Sequence, residues 1–214
     1  MDSSTASFSL LELFNLGGIF MWPLLLFSIL TITISVERII FLGSHNLKME
    51  DLKQTLSGYI RSNKYKEAKE YLIPLTKRRM GARILLPLVE YHGLSDQRLE
   101  KYAETEAAKC INSLENGFSF LVALGSLSPL TGFLGTVSGM IGAFRSIAEA
   151  TEVNAQIVAN GIYEALITTV FGLIIAIIAM IANSLFTHVV DKFSAEVEQT
   201  CSNLIMEITL HHES

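Results

Sequence analysis

The chain has 214 residues, half of them hydrophobic and only 17% charged, with a mean hydropathy of +0.42. That balance excludes an ordinary freely soluble enzyme and points to the membrane. The formal net charge of −5, without a basic cluster free of acids, argues against a nucleic-acid partner.

Gaps in charge divide the sequence. There are 24 uncharged residues between Glu12 and Glu37, 29 between Glu115 and Arg145, and 26 between Glu164 and Asp191. At about 1.5 Å per helical residue each crosses roughly 30 Å of hydrocarbon. The predicted class is therefore an all-α integral membrane protein with three transmembrane helices, at 16–42, 117–146 and 158–188. Around them lie an N-terminal extracytoplasmic segment at 1–15, a cytoplasmic helical domain at 43–116, an extracytoplasmic loop at 147–157 and a cytoplasmic tail helix at 189–214. The first span is read as retained and not as a cleaved signal peptide, because Asp2 and Glu12 stand where a basic flank belongs and Glu37-Arg38 follows it.

Orientation follows from the basic residues. Thirteen of the 16 Lys and Arg fall between Ser44 and Asn116, and none precede Arg38. This predicts an N-terminus outside, which in a Gram-negative cell would mean the periplasm, and a main loop and C-terminus in the cytoplasm. Cys110 and Cys201 then lie on the reducing side. Their spacing suggests neither a disulfide nor a zinc site, and no metal or cofactor is expected.

In chain order, the first span, with Leu24 to Leu26, Phe27, Ile29, Leu30, Ile32 and Ile34, reads as a peripheral, lipid-facing helix. The cytoplasmic segment reads as helices from Met49 to Arg61, with Leu52, Leu56, Tyr59 and Ile60 on one side, then Lys64 to Leu72 and Ala82 to Tyr91. Pro74 and Pro87 are expected at turns. From an N-cap at Ser95 a single helix to Arg145 is expected, roughly 76 Å long if straight, about half of it protruding from the bilayer. The tail carries Phe193, Val197, Cys201, Leu204, Ile205 and Ile208 at helical spacing, an amphipathic helix extending the third span.

The second and third spans are patterned for helix contacts. Gly132, Gly135 and Gly139 in one, and Gly161, Ala165, Gly172, Ala176 and Ala179 in the other, are small residues that let backbones approach closely in lipid. Gly-rich strings also serve nucleotides, but no Gly-Lys-Ser/Thr follows here. With no nucleophile and base pair either, an enzyme is not expected. The informative residues are the polar ones within the spans. Glu164 is an ionisable group that is costly in lipid and faces protein or water. Thr136 lies roughly 13 Å inward of Arg145 and Thr169 roughly 16 Å inward of Val158, so the two share one membrane level. Thr168 is about 40° from Glu164 around the helix and Thr169 about 140°, so a single straight helix cannot aim Glu164 and Thr169 at the same point.

Two strings, Gly135-Thr136-Val137-x-Gly139-Met140-Ile141 and Gly161-Ile162-x-Glu164-Ala165-Leu166-x-Thr168-Thr169-x-x-Gly172-Leu173, separated by an acidic loop, resemble the proton-channel family of ExbB, TolQ and MotA. Gly17-Gly18, Met21-Trp22-Pro23-Leu24 and Glu37-Arg38 add to the likeness, and three spans with one large loop are nearer to ExbB and TolQ than to MotA. The resemblance implies pore-facing hydroxyls at Thr136 and Thr169 and a motif carboxylate at Glu164. It implies a homo-oligomeric ring, a pentamer, whose lumen holds single-span helices of an ExbD- or TolR-like partner. A TonB- or TolA-like protein is a further implied partner. Such a ring is a stator that couples proton motive force to movement of the inner helices, energising outer-membrane transport or envelope processes. The family's Ala-Ile-Pro string is replaced here by Ala176-Ile177-Ile178, which implies a straighter third helix. The rival reading is a non-conducting oligomeric membrane scaffold, which would be indifferent to loss of Thr136 and Glu164.

Overall fold

The structure is a computed structural model that describes residue 14 and residues 16–149 and 155–212. The rest of the expected N-terminal segment and the centre of the expected 147–157 loop lie outside the described residues. All regular structure among the described residues is α-helical: α1 (Met21–Ser44), α2 (Glu50–Arg61), α3 (Tyr65–Leu75), α4 (Met80–Glu90), α5 (Asp96–Glu115), α6 (Phe118–Glu149) and α7 (Ala155–His212). Three of the helices contain stretches long and apolar enough to cross a membrane, within α1, α6 and α7. They correspond to the three charge gaps.

Two compact units result. The first comprises residues 1–36 and 117–184, the second residues 37–116 and 185–214. In the first unit α6 and α7 pack antiparallel through small residues. Gly125 lies against Ala179 and Met180, Gly132 against Thr168 and Thr169, and Gly139 against Gly161 and Ala165. The small residues are thus consumed by a contact within one chain. On the outward faces of α6 and α7, Phe133, Leu134, Ile141, Leu166 and Ile177 are exposed, as helix sides meant for lipid or another apolar surface are. Met21 and Leu24 of α1 join Ile167 and Ile175 of α7 in a buried cluster flanked by Phe14, Phe27 and Phe171. Leu24 therefore faces protein, whereas Leu26, Ile29 and Ile32 are exposed as expected for a peripheral helix.

The second unit is a helical domain with its own core. The spacing that predicted α2 buries Leu52, Leu56 and Ile60 completely, leaving Tyr59 half-buried beside Tyr71, with ring centroids 6.2 Å apart. The core continues through Leu72, Ile84, Leu85, Leu88, Leu99 and Leu114. In the tail Phe193, Val197, Cys201, Leu204 and Ile208 are buried, and Ile205 is half-buried. The tail is tied to its neighbours by Arg61 and Ser57, each 2.8 Å from Glu207, and by Thr209, 2.6 Å from Asp96.

Two local expectations are corrected. Pro74 and Pro87 lie inside α3 and α4, close to their C-terminal ends, and not at turns. Placed there, each removes one backbone hydrogen bond without preventing the last turn from closing. The expected unbroken helix from Ser95 to Arg145 is two helices, because Gly117 adopts φ +89°, a conformation glycine enters without steric cost, and the chain turns there. Ser95 is the N-cap of α5, with extended backbone, but makes no side-chain capping bond.

The end of α5 explains the Glu37-Arg38 pair. The last carbonyls of a helix have no partner within it. Arg38, buried in the second unit, donates to the carbonyls of Ser113 (3.2 Å) and Leu114 (3.4 Å) while pairing with Glu37. A cation there also meets the negative end of the helix dipole. A second buried guanidinium, Arg79, donates to both oxygens of Asp51 at 2.6 Å and to the carbonyl of Lys48 at 2.7 Å. Arg79 holds the Asp51 carboxyl below its ordinary value, chiefly through these hydrogen bonds. Both cysteines are free and buried, and burial pushes the Cys201 thiol up to about 12.

Candidate functional site

The polar residues singled out in the spans lie on α6 and α7, within the first unit, and backbone contact between glycines decides how they are presented. A Cβ at Gly172 would sit 2.5 Å from the carbonyl oxygen of Ser128, and one at Gly132 would sit 2.7 Å from that of Thr168. Ordinary side chains at these positions would hold the helices apart. The close approach brings hydroxyls of one helix to the carbonyls of the other.

Thr168 is fully buried at this crossing. Its hydroxyl lies 2.9 Å from the carbonyl oxygen of Ala165 and 3.2 Å from that of Gly132. Thr169, half-buried, reaches the same Gly132 carbonyl at 3.4 Å. Adjacent threonines of α7 thus converge on one carbonyl of α6. Of the two, Thr168 is engaged in packing on every side, since Gly135 abuts it as well, with a Cβ there 2.7 Å from the Cβ of Thr168. Thr169 keeps a partly open face. Thr136, next to Gly135, is half-buried and donates to the carbonyl of Phe133 at 2.7 Å within its own helix. Its neighbour Gly135 brings it to the level of Thr168, but no hydrogen bond joins Thr136 to α7.

Glu164 stands one turn before Thr168 and is half-buried. It lines a cavity of about 340 Å³ with Ser138 and Ser146 of α6, the remaining walls being small residues, including Gly142 and Gly161. Three polar side chains around such a volume can hold water beside a carboxylate, which an enclosed apolar void cannot. Glu164 is also placed by the segment that precedes α1. Gly18 has φ +66°, and a Cβ there would overlap the Glu164 carboxylate, so the carboxylate lies directly on the Gly18 backbone. The sequence shows Gly17-Gly18 but not what it is for. The contact between residues 146 positions apart is what gives Gly18 a role.

Other residues emerge only in the structure. The hydroxyls of Thr31 and Ser35 on α1 and the amide oxygen of Asn183 on α7 are buried with no hydrogen-bond partner among the described residues. Hydroxyls in apolar helices usually bond back to their own backbone, and those of Thr31 and Ser35 do not. Thr31 and Ser35 are one turn apart, a spacing visible in the sequence, but burial was needed to distinguish them from lipid-facing hydroxyls. Among the described residues no group of His, Cys, Asp and Glu has the arrangement of a metal site.

The geometry can be set beside known proteins. Residues 73–199 match the MotA/TolQ/ExbB proton channel family. That span contains α6, Thr136, Glu164, Thr168 and Thr169, and most of α7. The chain is 29% identical over 211 residues to the biopolymer transport protein exbB1 of Vibrio cholerae, covering 96% of this chain and 92% of that protein. It is 35% identical over 201 residues to a putative biopolymer transport protein, ExbB-like 1, of Synechocystis, covering 87% and 75%. Over 106 residues it is 41% identical to the Tol-Pal system protein TolQ of Haemophilus influenzae, 49% of this chain and 45% of that one. With the matched region covering the antiparallel α6–α7 pair and more than half of the sequence, the chain belongs to the MotA/TolQ/ExbB proton channel family.

Proposed function

We propose that this chain is the ring-forming stator subunit of a proton-driven machine in the bacterial inner membrane, pentameric, enclosing a single-span partner of the ExbD or TolR kind. The observation that carries the reading is the polar set on an otherwise apolar helix pair. Thr136 lies one turn from Gly132, whose carbonyl the Thr169 hydroxyl approaches, and Glu164 lines a polar cavity. A proton relay across a bilayer also needs a titratable group near mid-depth, and the three spans supply none there. The partner must contribute it, so this chain acts as the hydroxyl-lined wall against which the partner is protonated and moves. Biopolymer transport and Tol-Pal relatives support such an energising role, with a TonB- or TolA-like protein as the downstream recipient.

The outward apolar faces of α6 and α7 support assembly with further copies and with lipid. The thirteen basic residues between Ser44 and Asn116 support a cytoplasmic second unit. Two measurements test these points. Native mass spectrometry of the chain co-expressed with its single-span partner should give five copies around the partner, and a stable lone monomer would refute the ring. A single cysteine at Ser62, in a background lacking Cys110 and Cys201, should resist a membrane-impermeant maleimide in intact spheroplasts. Labelling there would reverse the orientation.

A further inference from the structure

The second unit contains a cavity of about 730 Å³ that the proton pathway does not use, within the size range of small-molecule sites. It lies where two apolar stretches end together. The first runs out at Leu42 and Gly43, and the third at Val189 and Val190, just before Asp191. Leu42, Val189 and Phe193 give the cavity an apolar side, and Lys48 and Lys192, beside the rings of His45 and His188, give it a cationic and polar side. Glu196 is the single carboxylate among the residues that line it.

Two features make this more than a scatter of surface charge. His45 is fixed, its Nδ1 lying 2.9 Å from the carbonyl oxygen of Phe41 and its ring packed on the Phe41 ring at 4.5 Å. The Lys48 backbone is fixed as well, because its carbonyl accepts from buried Arg79 and its amide donates to Asn46. Meanwhile Lys48, His188 and Lys192 form no ion pair among the described residues, although the chain as a whole is acidic. Two lysines, Lys48 and Lys192, therefore line one volume that holds a single carboxylate, and neither is ion-paired to it among the described residues. Lysine binds phosphate as a compact point charge with three donors.

We infer that this cavity binds the phosphodiester headgroup of an anionic phospholipid at the membrane boundary. The apolar side selects a lipid over a free anion. Ile39 and Ile40 on α1 and Leu185 on α7, which precede the lining residues in their helices, are exposed and offer apolar surface to acyl chains. A headgroup there bridges the end of α1 and the residues that follow the third apolar stretch. The inference rests on the reading that α1 and α7 cross the bilayer.

The test uses the full chain, delipidated in mild detergent and titrated with dioleoyl phosphatidylglycerol or dioleoyl phosphatidylcholine, with bound lipid counted by native mass spectrometry. Phosphatidylglycerol should be retained in preference to phosphatidylcholine. Lys48→Gln combined with Lys192→Gln should reduce that preference by about fivefold per lysine. Lys66→Gln with Lys101→Gln, both exposed and away from the cavity, should leave it unchanged. Equal binding of the two lipids, or an unchanged preference in the Lys48/Lys192 variant, overturns the site. Displacement of phosphatidylglycerol by excess inorganic phosphate overturns its lipid source and assigns the cavity to a free anion. Carbonate extraction of the same membranes tests the spanning reading separately. A chain that resists extraction but shows no lipid preference contradicts only the headgroup site.

Discussion

Replacing Gly132 by alanine places a methyl group 2.7 Å from the carbonyl oxygen of Thr168, 3.0 Å from the Cα of Thr169 and 3.3 Å from the carbonyl carbon of Thr168. All three atoms belong to the backbone of α7, so no rotamer change relieves the overlap and the helix itself must move. Gly142, on the same helix, has nothing within 4 Å of the corresponding position. Both substitutions gain about 0.5–1 kcal/mol from the greater helix propensity of alanine, so their difference isolates the steric cost. Overpacking of this kind costs about 1–3 kcal/mol, and a chain of this size loses roughly 2–4 °C of melting temperature per kcal/mol. Gly132→Ala should therefore melt several degrees below Gly142→Ala when the purified protein is followed by circular dichroism in one detergent. Separation of the helices also disturbs the hydroxyls of Thr168 and Thr169, both of which approach the Gly132 carbonyl. The proton-coupled activity of Gly132→Ala should fall accordingly. Equal melting of the two variants would refute the close crossing of α6 and α7.

Further outcomes follow from the same geometry. Thr136→Val keeps shape but removes the hydroxyl, and Glu164→Gln keeps hydrogen bonding but removes titration. Each should abolish proton-dependent energising in cells carrying the partner while native gels show unchanged assembly. Gly18→Ala should lower the same activity with normal membrane insertion, because its methyl displaces the Glu164 carboxylate and strains a left-handed backbone. In the second unit Asp51→Asn should destabilise the fold at neutral pH. Asp51 has a lowered folded-state pKa, so its contribution is present above the ordinary carboxylate value and disappears as pH falls through the lowered one. The difference from the unmodified chain in thermal melts should thus close in acid, below about pH 4.

The sequence carried the spans because charge is so costly in hydrocarbon that its absence over 24 to 29 residues has few other meanings. It carried the tail helix because Phe193, Val197, Cys201, Leu204 and Ile208 recur on one face, and all five are buried. Periodicity does not announce a local break, however. Asn116-Gly117 lies inside an apparently continuous helical pattern, and only the positive φ of Gly117 separates α5 from α6. The glycine pattern likewise gave the existence of close helix contacts but not their partner. The small faces of α6 and α7 meet each other within the chain. At the site, Thr168 and Thr169 are indistinguishable as letters, and their difference arises from burial against Gly132 and Gly135. Gly18 and Glu164 are far apart in sequence, so their contact was legible only after folding.

The proposed proton path runs past Thr136, Glu164 and Thr169 when a ring of this chain encloses its partner. Its most direct test is proton uptake into liposomes containing the co-purified complex, read by an internal pH dye after a potassium diffusion potential is imposed. Potential-dependent uptake should occur with the complex and vanish with Glu164→Gln or with the partner omitted. Uptake that is absent from an intact complex, or that persists undiminished in Glu164→Gln and Thr136→Val, would contradict the pathway and leave the chain a non-conducting membrane scaffold.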